Sequence, residues 1–468
     1  MRGNTRVSRR ASRLTIVVVV AAMLLAAAPV NAWAIFVPLD DLYGYVTDSE
    51  TGAGLSGVNV ELWKWEEYEL DPDYFDGTTT GSTGRYAFND LVSAKYDLMF
   101  QDPNGRYRFA MMYEWWWSGP RTRRDIQLVP NAERVAGQSR YSTAVAVARR
   151  GFDPGKNKSW PGVKYVVIAS GEDRAAADPL AAAGLCWAYD APLLLVSSTS
   201  VPSEVKTAVQ EIVTANGPTK VLIVGGPVSV PDARFAELDA AVTGTLTKER
   251  LLTTGNRFDL AAAIARRVML ISDMDPAKDT PPAVLIANGA DPTKFFDALA
   301  LSPISAAKGC PILLVKATSV PAATSSAIKD LGFTRAIIGG GPNTVNYGVF
   351  GQIQGILDRV GGQTQRWYGQ SRYTTAIVIA EKAVDQEHWL GYATIAVAAK
   401  LPDALAGGAS VGHQGGVLVL TKGDSLTPET AAFLHRHRLS NWNACWVLGG
   451  KLSITDAVKS DMVDALAP

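Results

Sequence analysis

Short runs of uniformly apolar residues alternate with segments of helical periodicity throughout the chain beyond residue 130. In the first part of this region the apolar runs are residues 163–169, 192–196 and 221–224. The helical segments there are 144–150, capped by Ser142 or Thr143, 178–189, capped by Asp178, and two that open at Pro202 and near Pro231. Strands without polar alternation, separated by helices, are typical of a parallel sheet covered on both faces. The pattern therefore predicts α/β modules with parallel, Rossmann-like sheets.

Residues 35–130 follow a different pattern, in which apolar and polar positions alternate over short stretches separated by glycine-containing turns. Short strands punctuated in this way predict an antiparallel β-sandwich. For the run Trp115, Trp116 and Trp117, alternation predicts that the first and third rings enter the core and the second faces outward. A surface for sugar stacking or for a partner protein is the alternative interpretation of this run.

The region 131–468 contains the same unit three times, and we divide it into repeats 131–245, 246–362 and 363–468. Three landmarks recur in one order: an arginine before a helix, an aspartate at the start of an alanine-rich helix, and a glycine pair after an apolar strand. They are Arg140, Arg257 and Arg372; Asp178, Asp297 and Asp403; and the pairs Gly225 and Gly226, Gly340 and Gly341, Gly449 and Gly450. The arginines are 117 and 115 residues apart. The sequence thus predicts a multidomain chain, a β-sandwich followed by three tandem α/β modules.

Composition narrows the class of protein further. The 468 residues are 47% hydrophobic and 19% charged, which is a globular balance. Lysine and arginine total 45, as do aspartate and glutamate, so the formal net charge is zero. The chain therefore lacks the positive charge that is typical of nucleic-acid-binding proteins. Three cysteines cannot form a disulfide framework, and we expect Cys186, Cys310 and Cys445 to be small core residues.

Residues 1–34 have the composition of an export signal. Five arginines precede or border the apolar run 14–28, and Ala32 and Ala34 flank Trp33 in an A-x-A pattern. We expect cleavage after Ala34 or Ala32, and an uncleaved membrane anchor is the alternative. The sequence has no second run of 18 or more apolar residues, so we do not expect the mature chain to span a membrane.

Both regions resemble known families. The motif R-x-x-G-x-x-R-Y-x-T-A, followed by S-G, D-x-L-A, P-x-L-L and I-x-G-G, makes residues 131–468 resemble the type 2 cell wall-binding repeat. The stretches 44–63, 78–91 and 96–100 resemble prealbumin-like repeats of adhesins and carboxypeptidase regulatory-like domains. The first resemblance implies three modules around a pseudo-threefold axis that bind an anionic wall polymer. It also implies a secreted protein, held non-covalently at the cell wall of a Gram-positive bacterium.

The repeated residues have the chemistry of an anion site. A guanidinium near the start of a helix can bind two oxygens of a phosphate or carboxylate, and glycine pairs let backbone amides approach an anion. We therefore expect Arg140, Arg257, Arg372 and the three glycine pairs to bind the polymer. The repeated aspartates could instead pair internally with the arginines, and both interpretations fit the sequence. Thr254 and Phe258 replace the glycine and tyrosine of the other units, so we expect unequal contributions.

Catalytic motifs do not accompany these residues. The sequence contains no Walker loop or H-E-x-x-H motif, and His435 and His437 have no further ligand cluster beside them. We expect no enzymatic activity, no cofactor and no metal; the acidic loop 66–73 is either solvated or a Ca²⁺ site. The alternatives are an autolysin-like peptidoglycan hydrolase of the N-acetylmuramoyl-L-alanine amidase type, and an adhesin or carbohydrate-binding protein whose sandwich has its own host or glycan ligand.

Overall fold

The computed structural model describes residues 41–66, 71–119, 121–153, 155, 158–278, 281–437 and 444–467. The expected export signal with its cleavage sites lies outside these residues, and so does the centre of the acidic loop at 67–70. The described part contains an N-terminal β-sandwich and three α/β modules that share their sheets.

The sandwich is made of two four-stranded sheets. Its strands are β1 (Leu42–Asp48), β2 (Asn59–Trp65), β3 (Asp73–Thr79), β4 (Arg85–Phe88), β5 (Ala94–Gln101), β6 (Ala110–Trp117), β7 (Thr122–Arg123) and β8 (Ile126–Leu128). The sheet β3-β2-β5-β6 is antiparallel throughout, as predicted. In the other sheet β1 pairs antiparallel with β4 but parallel with β7 and β8, which differs from the prediction. The chain reaches β7 by crossing over from the first sheet, and such a crossover permits parallel pairing.

Alternation along the strands decides which side chains fill the sandwich. On β1, Leu42 and Val46 are fully buried, while Tyr43 and Tyr45 are half-buried on the other face. On β6 the Trp115 ring enters the core, as predicted, and Trp117 is half-buried against the same core. The Trp116 side chain lies outside the described part.

Strands and helices alternate from residue 132 onward. The strands are β9 (Ala132–Val135), β10 (Tyr165–Ser170), β11 (Leu193–Val196), β12 (Thr219–Val224), β13 (Leu246–Arg250), β14 (Ala283–Asn288), β15 (Ile312–Val315), β16 (Arg335–Gly339), β17 (Gln363–Trp367), β18 (Thr394–Ala398), β19 (Val417–Leu420) and β20 (Ala444–Leu448). The helices are α1 (Arg140–Phe152), α2 (Ala177–Ala181), α3 (Ala183–Tyr189), α4 (Ser203–Asn216), α5 (Asp232–Ala241), α6 (Arg257–Met274), α7 (Phe295–Lys308), α8 (Ala322–Asp330), α9 (Tyr347–Leu357), α10 (Arg372–Glu381), α11 (Leu401–Ala404), α12 (Gly407–His413), α13 (Pro428–Arg436) and α14 (Asp456–Leu466). The three strands predicted in the first repeat are present, with bounds shifted by at most two residues.

Each module has a parallel four-stranded sheet whose last strand comes from elsewhere in the sequence. The orders are β11-β10-β12-β13, β15-β14-β16-β17 and β19-β18-β20-β9. The strands β13 and β17 open the second and third repeats yet complete the sheets of the first and second. The third sheet is completed by β9, from the start of the first repeat. This exchange of strands closes the three modules into a ring.

The centre of the ring is formed by α3, α7 and α12, one helix from each module, which pack against one another. A close approach there requires glycine, because a Cβ on Gly408 would lie 1.6 Å from Ser302 Oγ. Apolar side chains of all three modules form one continuous core around these helices. Cys186, Cys310 and Cys445 are buried and free, as predicted.

The first helix begins earlier than predicted. Ser139, rather than Ser142 or Thr143, is its N-cap, and the helix starts at Arg140. The Ser139 and Ser142 side chains form a capping box, in which each accepts from the other's backbone N–H. The predicted cap is therefore the partner of the true cap.

Asp178 is not an N-cap either. It lies in the first turn of α2, and the N-cap position belongs to Ala176. The predicted helix 178–189 is interrupted at Ala182, whose N–H is shared between the carbonyls of Asp178 and Pro179, each 3.2 Å away. This shared hydrogen bond marks the break between α2 and α3. Because Asp178 does not cap its helix, its carboxylate is available for contacts outside that helix.

The sandwich contacts the ring beside β9. Glu50 accepts a hydrogen bond from the backbone N–H of Arg134 at 2.8 Å, and its other oxygen lies 2.6 Å from Lys459 Nζ on α14. Tyr107 and Pro130 form an isolated β-bridge at the junction of the two regions. These contacts frame a cleft of about 740 Å³ between the sandwich and the third module.

Candidate functional site at the module junctions

In each module the glycine pair and the aspartate meet where the parallel strands end. The strands β12, β16 and β20 end immediately before their glycine pairs, and α2, α7 and α11 carry the aspartates in their first turns. The first glycine of each pair has a positive φ, 118° at Gly225, 103° at Gly340 and 106° at Gly449. A Cβ there would lie 3.2, 2.3 and 2.7 Å, respectively, from a carboxylate oxygen of Asp178, Asp297 and Asp403. The repeated glycine and the repeated aspartate are thus one structural unit, in which the glycine makes room for the carboxylate.

A hydroxyl four residues after the first glycine holds each carboxylate. The donors are Ser229 to Asp178, Thr344 to Asp297 and Ser453 to Asp403. Sequence analysis missed these hydroxyls, although their constant spacing from the glycine pair could have revealed them. Their hydrogen bonds tie the loop after the glycine pair to the aspartate and so fix the shape of the site.

Burial raises the pKa of Asp178 and Asp297 to about 6. The positive charge of Arg257 opposes the rise at Asp178, and those of Lys294 and Arg372 oppose it at Asp297. The net charge at these two sites therefore changes by one unit near pH 6. Below that pH the neutral carboxyl no longer repels an anion.

A second repeated arginine binds the glycine pair from the neighbouring repeat. It is the arginine that opens the sequence motif, and it is the last or the second-last residue of each borrowed strand. Its Nη1 donates to the carbonyl of the first glycine at distances of 2.9, 2.6 and 2.8 Å; these pairs are Arg134 with Gly449, Arg250 with Gly225 and Arg366 with Gly340. Sequence analysis assigned no role to these residues, although they recur every 116 residues. They help to hold adjacent modules together.

Two of the predicted arginines are anchored to strand ends within their own modules. Arg140 Nη1 donates to the carbonyl of Gly171 at 2.7 Å and lies 2.5 Å from Asp173 Oδ1. Arg257 Nη1 donates to the carbonyl of Gly289 at 3.0 Å. Both guanidinium groups are therefore partly occupied by protein oxygens.

Arg372 is placed differently, with its guanidinium 4.2 Å from the centre of the Phe296 ring of the second module. Among the described residues, none of the three arginines lies within 4.0 Å of a repeated aspartate as an ion pair. The direct Arg–Asp pair that the sequence allowed is thus not formed, because each carboxylate is held by a hydroxyl of its own module. The charges still interact across the junction, since Arg257 lowers the pKa of Asp178.

Clefts of ligand size lie at two of the module junctions. The cleft between the first and second modules has a volume of about 360 Å³, and the cleft between the second and third about 430 Å³. Each brings together an aspartate and the second glycine of one module with the predicted arginine of the next: Asp178, Gly226 and Arg257, or Asp297, Gly341 and Arg372. At the third junction Gly450 faces the carbonyl of Gly137, 4.0 Å from its ideal Cβ position. Residues that are distant in sequence therefore meet between modules.

The arrangement is suited to holding a polar, negatively charged ligand. Guanidinium groups bind oxyanions, and a small cleft lined by a few polar groups can fix a ligand's orientation. Within the described ranges, no three His, Cys, Asp or Glu side chains are grouped so that they could share a metal ion. No helix in that part of the chain has the length and apolar character needed to cross a bilayer.

The fold and the clefts define a class of protein, a set of tandem α/β repeats closed into a ring with polar clefts where the modules meet. The model of the cell wall binding domain 2 family matches residues 134–234, 252–350 and 366–459, which is more than half of the chain. The chain belongs to this family, and the resemblance to type 2 cell wall-binding repeats is confirmed.

Two proteins of Bacillus subtilis (strain 168) are related in sequence. The N-acetylmuramoyl-L-alanine amidase LytC is 27% identical over 345 residues, 72% of this chain and 60% of the amidase. The amidase enhancer is 27% identical over 200 residues, 42% of this chain and 23% of the enhancer. The chain thus spans less than two thirds of either relative.

Two solved structures share the fold. Cwp6 from Clostridium difficile matches with a TM-score of 0.59 at 18% identity, over 91% of this chain and 67% of Cwp6. Cwp8 from the same organism matches with a TM-score of 0.57 at 20% identity, over 81% of this chain and 60% of Cwp8. At these identities the likeness extends to the fold alone.

Proposed function

We propose that this chain is a secreted surface protein that attaches non-covalently to a Gram-positive cell wall and binds an anionic wall polymer through its three modules. The observation that carries the proposal is the recurrence of an arginine and a glycine pair at module junctions, in a chain of cell wall-binding repeats. Secretion rests on the export signal expected at 1–34.

A polymer with regularly spaced charges fits a ring that repeats its binding groups. Arg140, Arg257 and Arg372 would supply the guanidinium groups, and the second glycines of the three pairs would allow close approach of the ligand. Engagement of one polymer chain at more than one junction raises the overall affinity without any new type of contact. The pseudo-threefold arrangement is what allows this multivalent binding.

The sandwich would then be the part displayed by the anchored ring. Its alternating strands and turn motifs support a prealbumin-like domain. Its contacts with Arg134 and Lys459 hold it directly against the ring. In this arrangement the displayed domain keeps a fixed orientation relative to the wall.

Sedimentation of the full chain with isolated cell walls tests the proposal. We expect binding to native walls and loss of binding to walls from which acid has extracted the secondary polymers. Retention should also weaken as salt rises, because exposed charges are screened beyond about 8–10 Å at physiological ionic strength. Equal binding to extracted walls, or binding that is independent of salt, would contradict an anionic polymer as the ligand.

A triple variant connects the binding to the predicted arginines. We expect Arg140→Gln, Arg257→Gln and Arg372→Gln together to release a folded protein from the wall. The matched control is Arg266→Gln, since Arg266 is exposed on α6 and lines neither cleft. Circular dichroism of each variant separates loss of binding from loss of folding.

The sequence similarity to an amidase over 72% of this chain favours testing one other function, peptidoglycan hydrolysis. A zymogram with purified wall as substrate is the direct assay. Clearing by the renatured chain would support a hydrolase. Wall binding without clearing would support an anchor.

A further inference from the structure

The three repeated arginines at the module junctions differ in their exposure and in their contacts with the protein. Arg140 and Arg257 are half-buried and donate to backbone carbonyls of their own modules, and Arg257 Nη2 also donates to the carbonyl of Arg174 across the junction at 3.3 Å. Arg372 is exposed, and within the described part of the chain its guanidinium has only the stacking contact with Phe296. Stacking occupies a face of the guanidinium and leaves the N–H groups at its edge directed outward. The cleft between the second and third modules therefore presents hydrogen-bond donors that the protein does not itself satisfy.

An exposed aromatic ring distinguishes the same cleft. Tyr368 lines it and is 44% exposed. Tyr368 lies two residues after Arg366, the arginine that opens the motif. The residue two positions after Arg250 is Leu252, at the first junction, and the residue two positions after Arg134 is Ala136, at the third. Of these three equivalent positions, only the one in the cleft between the second and third modules has an aromatic side chain.

The Tyr368 ring is held in place by its surroundings. A Cβ on Gly341 would lie 3.1 Å from its ring, so the second glycine of the pair gives the ring its place. The preceding Trp367 is buried, and its carbonyl accepts a hydrogen bond from Gly340 at 3.0 Å. The following Gly369 donates its N–H to Thr375 Oγ1 at 3.0 Å. The loop on both sides is therefore fixed before any ligand arrives, which lowers the cost of ordering on binding.

We infer that the cleft between the second and third modules binds a pyranose unit carrying a carboxylate or a phosphate. Tyr368 lies against the sugar ring, and Arg372 binds the acidic group. The inference rests on the proposed function and identifies which junction contacts sugar and through which chemistry. The C–H groups of a pyranose face carry partial positive charge and meet the negative face of an aromatic ring. The planar guanidinium matches two oxygens of the acidic group.

The remaining lining of the cleft agrees with this ligand. Lys294 adds a second positive charge, and Asn343 and Gln370 add side-chain amides that can bond to sugar hydroxyls. The volume of about 430 Å³ admits a single sugar unit with its acidic group. Asp297 lies at the same cleft, and its raised pKa makes the site less repulsive toward an anion below about pH 6.

Saturation-transfer NMR on the full chain tests the inference with three probes: glucuronic acid, glucose 6-phosphate and glucose. We expect saturation of the sugar protons for one or both acidic probes and much weaker saturation for glucose. Tyr368→Leu, which copies the first junction, should weaken binding of the acidic probe roughly tenfold. Tyr368→Phe should bind as the parent does, because it keeps the ring.

Two further variants separate this cleft from the other. Arg372→Gln should abolish the preference for acidic probes, whereas Leu252→Ala at the first junction should leave probe binding unchanged. Binding by Tyr368→Leu equal to the parent, equal saturation by all three probes, or no saturation by any would overturn the inference. Wall sedimentation with the same samples reports on the proposed function separately. A chain that sediments with walls but binds none of the probes refutes only the sugar site.

Discussion

The sandwich and the ring bury their cores by opposite routes. The eight strands of the sandwich pair into sheets with one another, and its core cluster consists of its own residues. In the ring each sheet takes its last strand from a different repeat, and the largest core cluster includes residues of all three modules. A unit of sequence and a unit of structure therefore coincide in the sandwich and do not coincide in the ring. Damage to one sheet should stay local in the first region and spread in the second.

The largest effect should come from breaking the strand that closes the ring. In Val135→Pro the proline removes a backbone donor from β9, where Val135 is buried and pairs with Leu448 of β20. A proline cannot donate to the ladder between β9 and β20, so the pairing of the two strands should be lost at this position. We expect hydrogen exchange to become fast in β18, β19 and β20 while β2 and β5 of the sandwich stay protected. Val135→Ile keeps the donor and is the control; equal protection in both variants would mean that the third module does not depend on β9.

Buried aspartates of the two regions have pKa values that are shifted in opposite directions. In the ring the folded state holds the protons of Asp178 and Asp297 up to about pH 6, whereas the unfolded chain releases them near 3.8. The contribution of these two carboxyls to the stability of the ring should therefore fall as pH rises from about 4 to 6, by about 3 kcal/mol per carboxyl, and then level off. Chemical denaturation followed between pH 4 and 7 measures the slope. Asp178→Asn with Asp297→Asn should flatten it, and an unchanged slope would assign it to other groups.

Asp48 makes a contribution to the stability of the sandwich whose dependence on pH has the opposite sign. Burial pushes the pKa of Asp48 up, but hydrogen bonds from Tyr107 and from the backbone of Thr51 and Glu50 bring it below the usual 3.8. The stability it contributes is present above about pH 4 and is lost as pH falls further. The protection factors of the β1 amides, which correct for the slower intrinsic exchange in acid, should therefore fall as pH falls, and Asp48→Asn should remove that fall. A β1 equally protected in acid and at neutral pH would contradict this assignment.

A smaller effect should follow from adding one methyl group at Gly340. The new Cβ would lie 2.3 Å from Asp297 Oδ2, at a φ of 103°, so Gly340→Ala should cost about 1–3 kcal/mol and distort the second cleft. Gly57→Ala in the sandwich meets open space and carries only the backbone strain of its φ of 78°. Gly351→Ala, in α9 with nothing within 4 Å, should instead stabilise by about 0.5–1 kcal/mol. The thermal midpoint should be lowest for Gly340→Ala, intermediate for Gly57→Ala and highest for Gly351→Ala, and wall binding should decrease for Gly340→Ala alone.

The smallest effect should come from the ion pair that joins the two regions. Glu50→Gln weakens the contact with Lys459, which is partly exposed, so the loss of stability should be about 0–1 kcal/mol. The two regions should nevertheless become less firmly attached, which small-angle scattering can detect as a larger radius of gyration. Lys206→Gln, which weakens a similar pair with Glu237 inside the first module, is the control. An unchanged radius would mean that the remaining contacts, among them the Arg108–Glu133 ion pair and the Tyr107–Pro130 bridge, are sufficient.

Local patterns predicted the elements of this fold well. The strands β10, β11 and β12 contain the uniformly apolar runs 166–169, 193–196 and 221–224, and the burial of these runs on both faces follows from that composition. The start of α1 was placed too late because Ser139 and Ser142 both have capping chemistry, and only the geometry shows which one is the cap. The parallel strands beside β1 were missed because pairing depends on the path of the chain between sheets.

The candidate site was predicted in its residues but not in its connections. Sequence placed the repeated arginine and aspartate in one repeat and allowed them to pair. In the structure Arg257 faces Asp178 of the preceding module, because the borrowed strand carries the next repeat's loop across the junction. The exposure of Arg372 could not be predicted from the motif either, since Arg372 differs from Arg140 and Arg257 only in its neighbours. Tyr368 differs from Leu252 and Ala136 in residue type, but its place in the cleft depends on the packing of the two modules.

The closing strand also imposes an order of assembly. Residues 132–135 leave the ribosome early, whereas Gly449, whose carbonyl Arg134 binds, is made 315 residues later. Contacts this distant in sequence form slowly, because a long loop must close first. Throughout that interval the nascent strand offers unpaired backbone groups to other chains, and it is short, with charged side chains at Glu133 and Arg134, as protected sheet edges are.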